Sequence, residues 1–572
     1  MGQIGRLLGA LLCGAGFACA ERAGEPVEVP LTELASQAPG AARVEGEGEL
    51  RRLVQPAGES IDLYLRLPRA SRLHFEMVPE LPSQAFAIHV ATDADRQTLE
   101  PERAGANRWD ADLSELAGRA VRLTLENRSG GPIGWIRPRV AGRARARPAA
   151  LGASARPPDP PINVILYVVD TLRLDRMSVY GYARPTTPEL ARWAERGALF
   201  RSAYAPGSKT PPTITALFAS RHPDELGARL RPDGPAPHTL AERFREAGYA
   251  TAAFQANFTL RPALGYARGF DEYRILKRTD SGKPRKVDAA ELHAHVLAWL
   301  RERGEQPFFA YVQSMDVHYP YAPPDAFRAR FAPRDAGDAP KPPAPDAPPD
   351  AQLATWYLPN LYDASVAYAD HEIGALLDAL AALPFAHRTA VVITSDHGEP
   401  LGQRGDVYHG HSLYEELVHV PLLVLLPWRR EPVRVEEIVS LQDLAPTLLD
   451  LAGLAVPDAY AGRSLLRPPD LLEPPSAVGS KDAEAWYIRE GRWKLLLDDA
   501  GARLFDLRAD PHELRDVSAQ HPVTAGYLTA RLMRRTPAFL DTWEAPGPMD
   551  SGLDAEERAS LEEALRALGY IE

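Results

Sequence analysis

Two regions of the chain differ in how apolar and polar residues follow one another. Between residue 21 and about residue 140, short segments alternate with a period of two, at 61–67, 73–77, 86–90 and 121–125. Such strands bury one face and expose the other, as in an antiparallel sandwich. We therefore predict an N-terminal β-sandwich, either a spacer or a glycan- or cell-surface-binding module. We favour the spacer because no exposed aromatic cluster can be assigned from the sequence.

From Asn163 onward the apolar runs are continuous instead of alternating, at 164–169, 308–312, 390–394 and 420–426. Helical patterns at 188–196, 238–247, 289–303 and 362–383 are interspersed with them. Continuous runs suit strands that helices cover on both faces. The pattern predicts a large α/β domain with a mainly parallel sheet over 162–456.

Four further segments have distinct compositions. Residues 141–161 hold four arginines and several prolines and predict an exposed, extended linker. The proline-rich stretch 333–350 predicts either a rim of a site or a plain surface insertion. A hairpin pattern at 486–496 falls within 457–540, which we predict to be a C-terminal subdomain. Residues 554–568, within the last segment 550–572, predict an amphipathic helix.

Charge and cysteine usage exclude several functions. The formal net charge is −12, which argues against a general nucleic-acid or anionic-membrane surface. Both cysteines, Cys13 and Cys19, lie in the first 20 residues. The remaining chain therefore has neither a disulfide nor a cysteine nucleophile.

Residues 1–20 have the pattern of an export signal. Arg6 precedes an apolar stretch at 7–18, and Ala18-Cys19-Ala20 offers a cleavage site. The alternative, a buried N-terminal helix, is disfavoured by the short segment and its polar continuation. Residues 16–19 loosely match a lipoprotein box, with Cys19 as the lipidated residue. We expect an exported, periplasmic or cell-surface protein, attached to a membrane only through such an anchor.

Three strand-end residues predict a metal site. Asp170 follows the run 164–169, and Asp396 and His397 follow the run 390–394. In open α/β sheets, ligands collect at the carboxyl ends of the strands. A carboxylate there is costly unless it is paired, and two carboxylates with an imidazole form an O/N donor set for a cation. Alone, each could instead be a turn or cap residue.

Thr210 precedes a predicted helix at 214–220. Its hydroxyl is expected near the helix N-terminus, where backbone N–H groups and the dipole favour an anion. A hydroxyl beside a cation is a better nucleophile, since the cation stabilises the alkoxide. The alternative is an ordinary N-cap threonine.

Three segments together resemble the sulfatase family of the alkaline phosphatase superfamily. They are VILYVVDTLR from residue 164, SKTPPTITALF from residue 208 and VVITSDHGE from residue 391. The similarity extends from about Asn163 to Glu513. It implies an α/β catalytic domain with a small C-terminal antiparallel subdomain, and a metal-dependent hydrolase of sulfate or phosphate esters.

The chain departs from the family pattern at three positions. Thr210 stands where the family has the cysteine or serine that becomes formylglycine, so no formylglycine is expected. Ile214 replaces the arginine that supports formylglycine, and Thr171 replaces a second aspartate. The resemblance leaves Asp170, Thr210, Asp396 and His397 as ligands of one or two divalent cations (Ca, Zn or Mn). It also points to superfamily members in which threonine attacks directly, such as nucleotide phosphodiesterases and phosphoethanolamine transferases.

Five further residues are assigned to the site. His318 matches the family's H-x-P-Y element, which implies contact with the transferring group or leaving oxygen. His409 and His411 fall where sulfatases have a substrate-binding lysine, which an imidazolium could replace. Each histidine could instead be structural. Lys209 and Arg173 could bind the oxygens of the anion.

The sequence thus predicts an exported, metal-dependent hydrolase acting on a small or glycan- or lipid-linked anionic ester. Thr210 is the predicted nucleophile, which favours a phosphodiester or phosphonate, and His318 or His411 assists the leaving group. One alternative is a transferase that hands the group to an alcohol. The other is a non-catalytic binding protein on the same scaffold.

Overall fold

The computed structural model describes residues 25–35, 43–46, 51–144, 146–157, 161–226, 230, 238–276, 278–280, 283–285, 287–332, 357–406, 408–429, 431–481 and 484–536. The predicted signal at 1–20, the insertion at 333–350 and the helix at 554–568 lie outside these residues. The chain divides into two compact units. The first comprises Met1–Pro148, Pro468–Pro474 and Glu490–Asp541, and the second comprises Ala149–Arg467, Pro475–Arg489 and Thr542–Glu572.

The first unit contains two antiparallel sheets and a short helix, α1 Leu31–Ala35. Its strands are β1 Glu25–Pro30, β2 Arg43–Glu45, β3 Arg52–Gln55, β4 Ser60–Arg66, β5 Arg69–Val78, β6 Phe86–Ala91, β7 Arg96–Leu99, β8 Glu102–Arg103, β9 Arg108–Asp112, β10 Ala120–Asn127 and β11 Ile133–Ala144. One sheet has the order β2-β3-β11-β5-β9-β8, with β1 also on β11, and the other has the order β4-β10-β6-β7. The predicted N-terminal β region is present.

The alternating pattern of these strands builds the sandwich core. In β10, every second residue is buried, as the sequence pattern predicts. The buried rings of Phe75, Phe86 and Trp135 meet there, with centroids 5.1 Å apart for Phe75 and Trp135. The indole N–H of Trp135 donates to Gln55 Oε1 at 2.8 Å, so the buried polar atom is satisfied.

The second unit is built on a nine-stranded sheet of order β15-β14-β18-β12-β19-β20-β13-β21, with β22 also on β13. Its strands are β12 Asn163–Val169, β13 Gly197–Tyr204, β14 Ala250–Gln255, β15 Glu272–Ile275, β18 Phe308–Ser314, β19 Thr389–Ser395, β20 His419–Leu425, β21 Val433–Val435 and β22 Val439–Ser440. Outside that sheet lie β16 Arg278–Asp280, β17 Lys283–Arg285, β23 Ser476–Lys481 and β24 Ala485–Glu490.

The helices of the second unit are α2 Pro188–Ala194, α3 Thr210–Ala219, α4 Pro223–Leu226, α5 Leu240–Glu246, α6 Ala289–Arg301, α7 Asp325–Phe331, α8 Tyr357–Ala381, α9 Glu415–Val418 and α10 Leu444–Leu451. Strands β12, β18 and β19 are buried along their whole length, and apolar side chains pack on both faces of the sheet. The predicted α/β class with a mostly parallel sheet is confirmed. One strand differs: β20, predicted as one more buried run, lies antiparallel to β19 and β13.

The register of the parallel strands aligns their carboxyl ends. Val169 of β12 is level with Ser314 of β18 on one side and with Ser395 of β19 on the other. Gln255, the last residue of β14, is level with Gln313 of β18. The residues that follow β14, β12 and β19 therefore reach the same edge of the sheet.

The segment predicted as an exposed linker, 141–161, is partly ordered. Strand β11 continues to Ala144 and pairs with both β1 and β5. In the second unit Leu151 and Ala155 are buried, and the amide of Leu151 donates to the Leu465 carbonyl. Apolar residues spaced four apart thus bury part of this segment despite its arginines and prolines.

The C-terminal part of the first unit contains an antiparallel hairpin, β25 Trp493–Asp498 and β26 Gly501–Asp506, and a helix, α11 Pro522–Arg535. The sequence predicts a C-terminal subdomain over 457–540; its residues 468–474 and 490–540 belong to the same compact unit as the sandwich. Helix α11 packs on the sandwich where Gly526 lies against the ring of Tyr64. Asp93 accepts hydrogen bonds from the first amides of the helix, at Val523 and Thr524.

A buried ion network completes this packing. Glu490, 3% exposed, accepts hydrogen bonds from Arg66 at 2.9 Å, from Tyr527 at 3.2 Å and from Arg531. A buried carboxylate is tolerated only when its charge and lone pairs are matched in this way. Among the residues that the structure describes, no helix is both long and apolar enough to cross a bilayer.

Candidate active site

Two carboxylates meet at the carboxyl edge of the large sheet. Asp170 follows β12 and Asp396 follows β19, and both are fully buried. The side-chain amide of Gln313 donates to Asp170 Oδ2 at 3.0 Å and to Asp396 Oδ2 at 3.3 Å. The backbone amide of Thr171 donates to Asp396 Oδ1 at 3.2 Å. The parallel register therefore fixes both carboxylates against each other.

Thr210 lies beside these carboxylates as the first residue of α3. Its Oγ1 is 3.3 Å from both Asp170 Oδ2 and His397 Nε2, and the Asn257 amide donates to it at the same distance. Asn257 also donates to Asp170 Oδ2 at 2.6 Å. The four predicted metal ligands are thus brought together, with the Thr210 hydroxyl beside Asp170 and His397 and with Asp396 close to both.

The first turn of α3 has fewer N–H donors for an anion than a helix N-terminus usually has. Pro211 and Pro212 follow Thr210, and proline has no N–H. The next amide, at Thr213, donates to the Lys209 carbonyl at 3.3 Å. The two prolines therefore offer an anion no N–H, and the Thr210 amide and the helix dipole are the favourable groups at this helix start.

The residues at this edge fit a divalent cation. Asp170 Oδ1 is buried without a hydrogen-bond partner among the described residues. Burial, followed by repulsion from Asp396, raises the pKa of Asp170, because two buried carboxylates resist carrying charge together. His397 Nδ1 lies 2.8 Å from the Gly398 carbonyl, which only accepts, so Nε2 has the lone pair. Asp170, Asp396 and His397 each place a ligand atom within 4.8 Å of the others.

Thr171 occupies a conformation that β-branched residues rarely adopt. Its φ is 60°, in the left-handed region, at a cost of about 1–3 kcal/mol. Three contacts hold it: its amide binds Asp396, its Oγ1 donates to the Asp170 carbonyl, and its own carbonyl accepts from Tyr362. In this chain Thr171 therefore acts on the site mainly through its backbone.

His318, Glu399 and His409 form a second buried cluster. His409 Nδ1 lies 3.2 Å from Glu399 Oε1, and its ring centroid is 4.4 Å from that of His397 and 5.1 Å from that of His318. Burial, together with the charges of His397, Lys209 and His411, lowers the pKa of His409. This direction disfavours the imidazolium form, and the predicted substrate-binding role of His409 stays a prediction.

The Arg173 guanidinium is engaged away from the proposed substrate position. Its side chain is 3% exposed and bonds both carboxylate oxygens of Asp175, the Glu399 carbonyl and Gln403 Oε1. These bonds use its donors, so the structure disfavours the predicted role of Arg173 in binding the anion. Arg173 instead holds the loop that follows β19.

Lys209 and His411 lie near the site, where their charges act on His409. Lys209 is the N-cap residue of α3, and its methylenes pack where Gly410 has no side chain. A Cβ at Gly410 would fall 2.4 Å from Lys209 Cε. His411 is exposed, beyond this glycine. Both stay predictions as binding or catalytic residues.

Three site residues were not identified from the sequence. Asn257 donates to Asp170 and Thr210, Gln313 donates to both carboxylates, and Glu399 anchors the second cluster. Asn257 follows a short apolar strand and Gln313 ends another, so the rule that found Asp170 could have found them. Neither belongs to a motif, and amides are common at strand ends.

The α/β fold and this strand-end constellation, with a hydroxyl at a helix start, define the alkaline phosphatase superfamily as the class of protein. A family model described as Sulfatase matches residues 162–454. The chain belongs to the sulfatase family.

Curated relatives align with parts of this chain. Mouse arylsulfatase K is 35% identical over 181 residues, which are 28% of this chain and 32% of that protein. Mouse iduronate 2-sulfatase is 25% identical over 387 residues, or 52% of this chain and 69% of that protein. The chain thus aligns with about a third of the length of the arylsulfatase K relatives.

Two solved structures have a similar fold. The phosphonate monoester hydrolase of Agrobacterium radiobacter has a TM-score of 0.54 at 22% identity, covering 67% of this chain and 97% of its own. A protein solved with its substrate D-glucosamine-2-N,6-O-disulfate has a TM-score of 0.56 at 20% identity, covering 68% and 100%. At these identities the likeness concerns the fold alone.

Proposed function

We propose that this chain is a metal-dependent hydrolase of anionic sulfate or phosphate esters in which Thr210 is the attacking group. The observation that carries the proposal is the position of Thr210 Oγ1, 3.3 Å from both Asp170 Oδ2 and His397 Nε2 at the edge where two buried carboxylates converge. Helix capping by a threonine does not require a carboxylate and an imidazole beside its hydroxyl. Here the N-cap is Lys209, and Thr210 is already helical.

Asp170, Thr210, Asp396 and His397 would hold the cation. When bound, it supplies the positive charge that stabilises a deprotonated hydroxyl and the charge developing on the transferred group. Asn257 fixes the hydroxyl through its side-chain amide, and Gln313 bridges the two carboxylates. These amides orient the site without adding negative charge.

Thr210 Oγ1 then releases its proton to solvent and forms a bond to phosphorus or sulfur while the bond to the leaving oxygen breaks. The leaving oxygen takes a proton from His318 or His411, and water afterwards releases the group from Thr210. A phosphoryl or phosphonyl substrate is favoured over a sulfuryl one, because a plain hydroxyl replaces the formylglycine of sulfatases. The substrate is a small or glycan- or lipid-linked anionic ester.

The proposal is tested with nitrophenyl sulfate, phosphate, phosphodiester and phosphonate substrates, each with and without chelator. Thr210→Ala should reduce turnover by several orders of magnitude, since it removes the attacking atom from a cooperating site. Thr210→Ser should keep part of the activity, and the thermal midpoint of both variants should match the wild type. Mass spectrometry should find unmodified threonine at 210.

Turnover by Thr210→Ala at the wild-type rate would show that Thr210 only begins the helix. No turnover of any substrate by wild type that contains its cation would favour the non-catalytic scaffold instead. An alcohol added to the assay distinguishes transfer from hydrolysis, because a transferase forms the new ester in place of the free acid.

We further propose that the chain is exported, on the charged start, apolar stretch and cleavage pattern of residues 1–20. N-terminal sequencing of the protein from the periplasm or cell surface should begin near residue 21, or at a lipidated Cys19. An intact N-terminus on cytoplasmic protein would reject export, and lipid labelling that survives Cys19→Ala would reject the anchor.

A further inference from the structure

A separate cavity lies at the edge of the large sheet where β19 begins. Its volume is about 290 Å³, and its walls come from the end of α2, the end of α8 and the first residues of β19. Strand β20 ends at the same edge, because Leu425 is level with Val391. Asp396 follows the other end of β19, seven residues after Thr389. About 23 Å of strand therefore separates this cavity from the candidate active site.

Apolar side chains form most of the cavity wall. Leu377 and Leu380 lie one turn apart on α8, and at 3% and 4% exposed they also belong to the core of the second unit. A cavity of about 150 Å³ with a lining of this kind accepts benzene, so the larger one has room for an aromatic ring or a short alkyl chain. The apolar lining includes Trp193, Leu377, Leu380, Val391, Leu425 and Pro427.

Two arginines give the cavity its charge. Arg196 follows α2, Arg429 follows β20, and both line the cavity together with the exposed His387. No aspartate or glutamate lines it among the residues that the structure describes. Guanidinium groups bind a carboxylate through parallel, charge-assisted hydrogen bonds. The lining therefore complements a ligand that has both an apolar body and a negative charge.

Neither arginine forms an ion pair with a carboxylate in the described part of the chain. The guanidinium carbon of Arg196 lies 5.8 Å from the centre of the Trp193 ring. Arg429 donates to the Leu151 carbonyl at 2.9 Å, and burial lowers its pKa while the charge of Glu431 acts in the opposite direction. An anion in the cavity would offset the charge of both side chains.

Acidic residues close to these elements pair with other arginines. Glu195, which precedes Arg196, pairs with Arg434 at 3.1 Å. Asp378 of α8 pairs with Arg192 at 2.7 Å. The end of α2 complements part of the charge of Arg196, since a helix C-terminus favours a cation. The remaining positive charge is available to a ligand.

We propose that this cavity binds a small amphipathic monoanion, a carboxylate with an aromatic ring or a short alkyl chain as its body. The body would lie against Leu377, Leu380 and Leu425. The carboxylate would pair with the guanidinium groups that line the same cavity. This binding site goes beyond the proposed function, because no residue of the cavity belongs to the candidate active site.

Two probes of the same shape test the inference, one with the charge and one without it. Calorimetric titration with 4-phenylbutyrate should show one equivalent with a dissociation constant of about 1 mM or lower. The neutral 4-phenylbutanamide should bind about tenfold more weakly or worse, since it cannot form charged pairs. The thermal midpoint should rise with 4-phenylbutyrate, because the ligand binds the folded state.

Arginine variants locate the binding. The Arg196→Met, Arg429→Met double variant should bind 4-phenylbutyrate about tenfold more weakly or worse and should bind the amide as the wild type does. Its turnover and ligand-free thermal midpoint should match the wild type. Arg301→Met, which changes an exposed arginine of α6, is the matched control and should keep full affinity. If the double variant unfolds, Ala381→Phe places a ring at the exposed end of α8 and should weaken both probes.

Binding in chelator separates this cavity from the active site. Affinity for 4-phenylbutyrate should be the same with and without chelator, whereas an anion held by the active-site cation would be lost. The inference would be overturned by loss of binding in chelator, by no binding at about 10 mM, or by equal affinities for acid and amide. Unchanged affinity in the double variant, or in Ala381→Phe where that variant is used, would also overturn it. The proposed function is judged separately, by turnover of Thr210→Ala.

Discussion

The sandwich and the nine-stranded sheet place their polar residues in opposite ways. In β10 of the sandwich, buried apolar side chains alternate with partly exposed polar or charged ones from Val121 to Glu126. In β12 of the large sheet every residue is buried, and the first carboxylate appears only after the strand ends, at Asp170. The alternating strand presents polar groups to water, whereas the buried strand concentrates them at one edge. Substitutions in the two regions should therefore alter different properties.

The largest effect is expected at the strand end. Asp170→Asn removes one of the two converging carboxylates and should lower turnover by roughly three orders of magnitude or more. The fold should persist, because asparagine keeps the shape and can still accept from Asn257 or Gln313. Turnover is measured with the substrate that the wild type hydrolyses best. Activity within tenfold of the wild type would contradict the role of this edge.

The same substitution should stabilise the metal-free protein at high pH. The pKa of Asp170 is raised on folding, so the folded state holds a proton that the unfolded state releases. The stability associated with that proton is full below the ordinary aspartate pKa of 3.8 and is lost as pH rises through the higher folded-state value.

In chelator, denaturant unfolding of Asp170→Asn and the wild type should therefore diverge as pH rises from 4 to 8, with the variant more stable at pH 8. Equal stability at pH 8, or a gap that narrows toward high pH, would contradict the raised pKa.

A smaller effect, on stability alone, is expected in the first unit. Glu490→Ala leaves Arg66 and Arg531 without the carboxylate that they share and should cost about 3–5 kcal/mol of unfolding free energy. Turnover at 25 °C should be unchanged while the protein stays folded. The matched control is Glu45→Ala. It removes an exposed ion pair with Arg52 and should lower the unfolding free energy by less than about 1 kcal/mol. Equal effects of the two variants on the urea midpoint would refute the network.

The smallest of these effects concerns a residue that orients others. Asn257→Ala removes the amide that holds Asp170 and Thr210 and should lower activity or cation affinity by about 10–100-fold. Asn257→Asp tests the effect of added negative charge. A third carboxylate should raise the affinity for the cation and slow the attack of Thr210 on an anionic substrate. An alanine variant with unchanged turnover and metal content would show that Gln313 alone suffices.

Local patterns predicted much of the fold because burial selects them. The alternation in β10 and the apolar run of β12 each follow from which faces are covered, and each was identified from the sequence. The direction of β20 was not, because an apolar run is the same in both directions. The docking of α11 on the sandwich was missed because it joins distant parts of the chain.

The candidate site was predicted only where residues stood in a motif. Asp170, Asp396 and Thr210 were found because strand ends and a helix start mark their positions. The lowered pKa of His409 follows from three-dimensional burial beside other cationic groups, which the sequence does not show. The pairing of Arg173 with Asp175 was not predicted for a different reason: the two residues are close in sequence, but the turn between them decides where the guanidinium points.

The packing of Gly526 on Tyr64 sets how late in synthesis the first unit can be completed. Strand β11 ends at Ala144 and α11 begins at Pro522, so almost 400 residues separate the sandwich from the helix that covers it. At about 5–20 residues per second, the ribosome needs roughly 20–80 s to cross that interval. During that time the surface around Tyr64 is open to chaperones and to neighbouring nascent chains. The domain that is synthesised first is thus the one that is completed last.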